Sequence, residues 1–179
     1  TPYRGLLLLH GLGAGKTCGS IAIAEGMKSE RKVYILTPAS LKANFFGELK
    51  KCGDPLFRKN QFWEFISIDT NQNMLDVLSS ALGLPKEFIR SQNGAWLVDA
   101  TKSSNFGVLN SQQQKQIDEQ LNEMIRVKYI DINYNGLTTR AFNELTENET
   151  YNPFDHSVVV IDEAHNLVSR IINKIKSID

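Results

Sequence analysis

The sequence predicts an α/β fold with a mostly parallel central sheet flanked by helices, plus an inserted or elaborated segment. Three observations carry this expectation. Near-continuous apolar runs at residues 4–10, 31–37 and 157–161 read as strands buried on both faces rather than one. Segments with helical apolar spacing separate such runs, the alternation expected of βαβ units. The length, 179 residues with 41% apolar and 22% charged, suits one domain with a real core and is too short for two large ones.

The elements follow in chain order. Residues 4–10 form an apolar run that enters a glycine-rich turn. A helix is expected over 16–28, with Ile21, Ala22, Ala24 and Met27 available for packing. Residues 31–37 (RKVYILT) read as a second strand; Pro38 stops it, and Ser40 is placed to cap a helix over 41–52. Gly53, Asp54 and Pro55 then break the chain. Residues 62–69 (FWEFISID) read as a third strand, followed by a short helix at 74–82 and a strand at 95–99. Ser111 can cap a helix in which Ile117, Leu121 and Ile125 make one apolar stripe. A strand at 127–132, a turn at Asn135-Gly136, a helix at 138–146 and a loop at 151–156 come next. Ser157–Ile161 (SVVVI) reads as the clearest buried strand. It runs into Asp162-Glu163-Ala164-His165 and a helix carrying Leu167, Val168, Ile171, Ile172 and Ile175.

Composition narrows the function classes. No apolar run approaches the roughly 18–20 residues that span a bilayer, so no membrane partner is expected, and no signal-peptide pattern is present. An intracellular setting is expected. Cys18 and Cys52 lack CxxC spacing and read as two free thiols. The net charge is zero, which excludes a globally basic nucleic-acid binder. The signs separate, however: residues 1–60 hold ten Lys/Arg against four Asp/Glu, and residues 61–165 hold seven against fifteen. A basic face near the N-terminal motifs is therefore permitted.

Residues 10–17, HGLGAGKT, match G-x-x-x-x-G-K-[ST] except for His10 at the first glycine. A P-loop wraps phosphate oxygens in backbone N–H groups, so its glycines must allow close approach. Gly11, Leu12, Gly13, Ala14, Gly15, Lys16, Thr17 and the backbone of Cys18 are the candidate ATP contacts. Lys16 would reach the β- and γ-phosphates, and the Thr17 hydroxyl would ligate Mg²⁺. The following helix aims its positive end at the anion. Further on, an apolar strand ends in two carboxylates. Asp162 is the candidate Mg²⁺ ligand, and Glu163 is placed to polarise an attacking water. An acidic turn alone would read as a helix start. Together with a phosphate loop, it shares one Mg²⁺ logic.

On these residues the chain resembles a superfamily-2 helicase or nucleic-acid translocase, in its first RecA-like lobe. GLGAGKT resembles motif I and DEAH at 162–165 resembles motif II. TPASL, straight after the second strand, resembles motif Ia. The resemblance implies that Thr37, Pro38, Ala39 and Ser40 contact a nucleic-acid backbone. It implies that His165 couples the ATP site to neighbouring loops, and it sets a weaker match at Asn133-Tyr134-Asn135 as a further track-facing loop. The stretches YRGLLLLHGLGAGKTCGSIAIAEGM, VYILTPASLKANFFGELKKCG and VVVIDEAHNLVSRIINKI are similar to helicase-like proteins of large DNA viruses, including the poxvirus early-transcription-factor small subunit and giant-virus relatives. That likeness implies an ATP hydrolase with ATP and Mg²⁺ as cofactors. The expected partners are DNA in preference to RNA, and viral transcription machinery, in a cytoplasmic replication factory and virion.

The 146 positions from Lys16 to Asp162 exceed what a lean lobe needs, so residues of about 70–126 are expected to be an insertion. Within it, Trp96 is expected to pack in a core. No Ser-Ala-Thr motif follows the DEAH string, and no second lobe with arginine fingers is in this sequence, so the isolated chain is expected to be weakly active or inactive. The leading reading is an ATP-dependent helicase or DNA translocase. Its alternative is an ATP-switched transcription-factor subunit that binds promoter DNA without unwinding it. A small-molecule phosphotransferase comes third.

Overall fold

The computed structural model describes residues 5–9, 15–27, 31–69 and 73–176. The chain divides into two compact units, one of residues 1–49 with 129–179 and one of residues 50–128.

The first unit is built on a parallel sheet. Strand β1 (Lys32–Thr37) lies between β4 (Tyr129–Asn133) and β5 (Ser157–Ile161), giving the order β4-β1-β5. The register pairs Val33 with Tyr129 and Val158, and Leu36 with Ile132 and Ile161. All three strands therefore end together at their carboxyl edge. Three helices of this unit are α1 (Lys16–Met27), α6 (Thr139–Leu145) and α7 (Ala164–Lys176), and α2 (Lys42–Cys52) starts in it. The sheet's centre is fully apolar: Val33, Tyr34 and Ile35 are buried from β1, with Ile21 and Ala24 from α1 and Phe45 and Leu49 from α2. Parallel strands need both faces covered, and β1 meets that condition at its centre, Val33 to Ile35, and at Thr37. Thr138 caps α6, its hydroxyl accepting from the Ala141 N–H at 3.2 Å.

Several expectations are corrected here. Residues 5–9 form no strand, and Leu6, Leu7 and Leu9 are 70–80% exposed. An apolar run becomes a strand only where a ladder partner exists, and these residues pair with none of β1, β4 or β5. For the same reason β5 is less buried than its composition suggests. It pairs with β1 on one side, no described strand pairs on the other, and Val159 and Ile161 are left exposed. Ala22 and Met27 are exposed on α1, as are Val168, Ile171 and Ile172 on α7. Neither Cys18 nor Cys52 is a free thiol.

The second unit joins a two-stranded sheet to helices. Strand β2 (Trp63–Ser67) pairs antiparallel with β3 (Gly94–Val98), so these strands do not extend a parallel sheet. Gly94 sits opposite Ser67 with φ at 155°, and a Cβ there would meet the Ile66 carbonyl oxygen at 2.3 Å, so only glycine fits. Between them lie α3 (Asn73–Leu82) and the short α4 (Lys86–Ser91), the latter not foreseen. Helix α5 (Ser111–Lys128) packs on β3, with the expected stripe of Ile117, Leu121 and Ile125 fully buried. Trp96 is in this core as expected, edge-on to Phe65 at 5.3 Å. Gln120, buried beside it, accepts from the Trp96 N–H and donates to the Trp96 carbonyl, both at 2.8 Å. The Gln-rich helix thus spends one amide on holding β3. Asp118 on α5 pairs with Lys50 at 2.6 Å and Lys59 at 2.7 Å.

Removing the centre of the α5 stripe tests this packing. Leu121→Ala is expected to cost about 2–5 kcal/mol, the range for a fully buried leucine that leaves a cavity. Urea titration followed by Trp fluorescence would show the lowered midpoint, with the exposed Glu119→Ala as a neutral control. A midpoint shift no larger than the control's would show that α5 does not carry this core.

Candidate functional site

In parallel sheets ligands sit outside the carboxyl ends of the strands, where the connecting loops diverge. In the first unit three loops emerge at that edge. The loop after β1 holds Pro38, Ala39 and Ser40, the loop after β4 holds Tyr134 and Asn135, and the turn after β5 holds Asp162 and Glu163. The Asp162 N–H donates to the Leu36 carbonyl at 2.9 Å, so the acidic turn begins as the last rung of the ladder to β1.

The acidic turn is tightly held. Glu163 is a non-glycine residue at φ 51°, in the left-handed region. Such a conformation costs of order 1 kcal/mol and persists only where surroundings impose it. Its carbonyl accepts from the Asn166 N–H at 2.8 Å as α7 starts. The buried Tyr134 hydroxyl reaches the carbonyl oxygens of both Asp162 and Glu163, each at 3.3 Å. Burial pushes the Tyr134 phenol above its ordinary range; Asn166 opposes that shift, and the charges of Asp162 and Glu163 add to it.

Burial also pushes the Asp162 carboxyl up, and the neighbouring Glu163 charge pushes it further. A hydrogen bond from the Glu163 backbone and the Lys16 ammonium pull it down. Two like charges sharing a half-buried turn are an unfavourable arrangement that a cation offsets. The Asp162 carboxylate is a hard oxygen donor of the kind Mg²⁺ takes. His165 is exposed and lies with Nδ1 3.3 Å from Glu163 Oε2.

Lys16 opens α1, directly after Gly15, which adopts φ 76°. Helix α1 packs against β5, so the fold sets the helix that Lys16 opens beside the strand that Asp162 ends, though 146 positions separate the two residues. Thr17 and Cys18 follow on the same first turn. Of the other predicted nucleotide contacts, Gly11, Leu12, Gly13 and Ala14 lie outside the described residues.

The loop after β1 divides in two. Thr37 is fully buried and its hydroxyl donates to Asp131 Oδ1 at 3.4 Å; Asp131 also pairs with Lys42 at 2.6 Å. Pro38 is buried as well. Ala39 and Ser40 are exposed. Of the four predicted track contacts, then, two face solvent, and Thr37 holds the strand end to β4.

Some residues at this edge were legible only in part. The Asn133-Tyr134-Asn135 loop is here, but its weak motif match pointed to the track and gave no sign that Tyr134 ties the loop to the acidic turn. On α7, Asn166, Ser169, Arg170 and Asn173 recur at helical spacing, a polar stripe that the sequence offered and the apolar reading of that helix passed over. Arg170 Nη1 donates to the Asn135 carbonyl at 2.7 Å.

No protein-family model matches the chain. No solved structure matches it either. Over 55 residues, 30% of the chain, it is 56% identical to protein R563 of Acanthamoeba polyphaga mimivirus, provisionally named an ATP-dependent RNA helicase. Over 93% of its length it is 28% identical to protein L377 of the same virus, which is provisionally named an ATP-dependent RNA helicase too. The likeness is to viral helicases. The chain spans only 10% and 14% of the length of these two relatives.

Proposed function

We propose that the chain is the nucleotide-binding, RecA-like lobe of a longer, nucleic-acid-dependent ATPase of the superfamily-2 helicase type, with the segment of residues 50–128 inserted in it. One observation supports this most. Helix α1, which Lys16 opens directly after Gly15, packs against β5, whose carboxyl end carries the Asp162–Glu163 turn, beside the exposed loop that ends β1. The names of the two viral relatives agree with it.

In this reading Lys16 neutralises the outer phosphates of ATP, and backbone N–H groups of residues 11–18 cradle them. Thr17 and Asp162 hold Mg²⁺, whose charge offsets that of the triphosphate. Glu163 accepts a proton from the water that attacks the γ-phosphate. His165 bears on Glu163, and Ala39 and Ser40 meet the nucleic-acid backbone, with Thr37 and Pro38 positioning them. The protein works in a viral cytoplasmic factory. The sequence favoured DNA as the track; the relatives are named for RNA, and both polymers belong in the test.

That test is ATP hydrolysis by the parent protein without nucleic acid, with single-stranded RNA and with duplex DNA. Turnover is expected to rise at least tenfold with one polymer, which identifies the track. Stimulation without strand displacement would favour the promoter-binding switch. A rate indifferent to every polymer would defeat the proposal and return the small-molecule phosphotransferase to first place.

A further inference from the structure

The polar stripe on α7 does not stand alone. Together with Ser40 from the loop after β1 and Asn135 from the loop after β4, it lines an open cleft of about 520 Å³ within the first unit. The walls are Ser40, Asn135, Asn166, Ser169, Arg170 and Asn173 over an apolar floor of Pro38 and Leu41. Among the described residues that line it, Arg170 is the one that is charged, and none is a carboxylate. The guanidinium gives one N–H to the Asn135 carbonyl, and among the described residues no carboxylate lies within ion-pair distance of it. It keeps further donors for a ligand, because a guanidinium has five. The surrounding amides and hydroxyls donate and accept without charge.

An arginine oriented by the Asn135 carbonyl, with neutral hydrogen-bonding groups around it among the described residues, suits a phosphodiester better than a protein carboxylate surface. Amides and hydroxyls hold sugar and phosphate oxygens, and the arginine supplies the charge. Ser40 of the β1 loop and the α7 residues line the same cleft.

We infer that this cleft is a nucleic-acid backbone site in which Arg170 takes a phosphate and Asn173 and Ser169 of α7 hold the adjoining sugar-phosphate oxygens. The inference rests on the nucleic-acid reading above and extends it to a helix face that no motif assigns. It also gives the track a route to the acidic turn. Arg170 holds Asn135, Asn135 follows Tyr134, and Tyr134 carries the carbonyls of Asp162 and Glu163.

The test is fluorescence anisotropy of labelled fifteen-nucleotide single-stranded RNA and DNA against the full chain over a salt series. Arg170→Ala is expected to weaken binding about tenfold and to reduce the salt slope by about one, the signature of one lost phosphate contact. Arg170→Lys should restore the slope. Asn173→Asp, which places a carboxylate in the cleft without touching Arg170, should weaken binding to the same polymer. Loss on RNA alone, DNA alone or both supports the site and names its source. Wild-type affinity and slope in both Arg170→Ala and Asn173→Asp, with the wild type binding, would overturn this site and leave the proposed function standing. No binding of either polymer by the wild type would overturn both.

Discussion

Glu163→Gln in the parent protein is expected to slow ATP turnover by about 10²–10⁴-fold while leaving ATP binding intact, the range for losing a positioned general base. Gln keeps the size of the side chain and the hydrogen-bonding reach needed in a turn held at φ 51°, so geometry is preserved. What it removes is the negative charge. That charge is one reason Asp162 lies above the ordinary carboxylate range, so its loss favours ionised Asp162. Metal affinity is therefore not expected to fall. The separation of binding from turnover is the diagnostic result, read by equilibrium nucleotide binding beside steady-state hydrolysis. Retained turnover would exclude Glu163 as the base. Parallel loss of binding and turnover would assign it to the ground-state site instead.

Lys16→Ala is expected to weaken ATP binding to the chain by about 10- to 150-fold, which takes already weak binding below detection. The figure corresponds to roughly 1.5–3 kcal/mol, the worth of hydrogen bonds to a charged group. Alanine is the best helix former, and Lys16 opens α1, so the helix survives the change. Direct titration with a fluorescent ATP analogue in Mg²⁺ measures it, and the urea midpoint checks that the fold is kept. Unchanged affinity in a folded variant would remove the phosphate-loop assignment. The two variants separate cleanly: Lys16 acts on binding, Glu163 on the chemical step.

Much of the local structure was legible from pattern alone. The α5 stripe of Ile117, Leu121 and Ile125 is fully buried because residues at i, i+4 and i+8 share a helix face wherever that helix packs. The strand starting at Lys32 and the β5 strand were found within a residue because apolar, β-branched runs bounded by Pro or by acids are local signals. The short α4 was missed, since six residues carry too little periodicity to register. The apolar run at residues 5–9 shows the opposite failure. Its composition is that of a strand, yet strand formation requires a partner that composition cannot name.

By itself, the sequence determined the chemistry on offer: a lysine and threonine behind glycines, two carboxylates at a strand end, a small-residue loop after β1, and where most helices begin. Local spacing and side-chain type decide these. Tertiary structure alone decided which of them meet. It set β1 between β4 and β5, so three loops share one edge. It turned β2 and β3 into an antiparallel pair. It buried Thr37 while exposing Ser40, and it faced the polar stripe of α7 toward that loop. Pairing, register and burial depend on contacts between residues distant in sequence, and those contacts form only once the chain has paid the entropy of closing the loops between them.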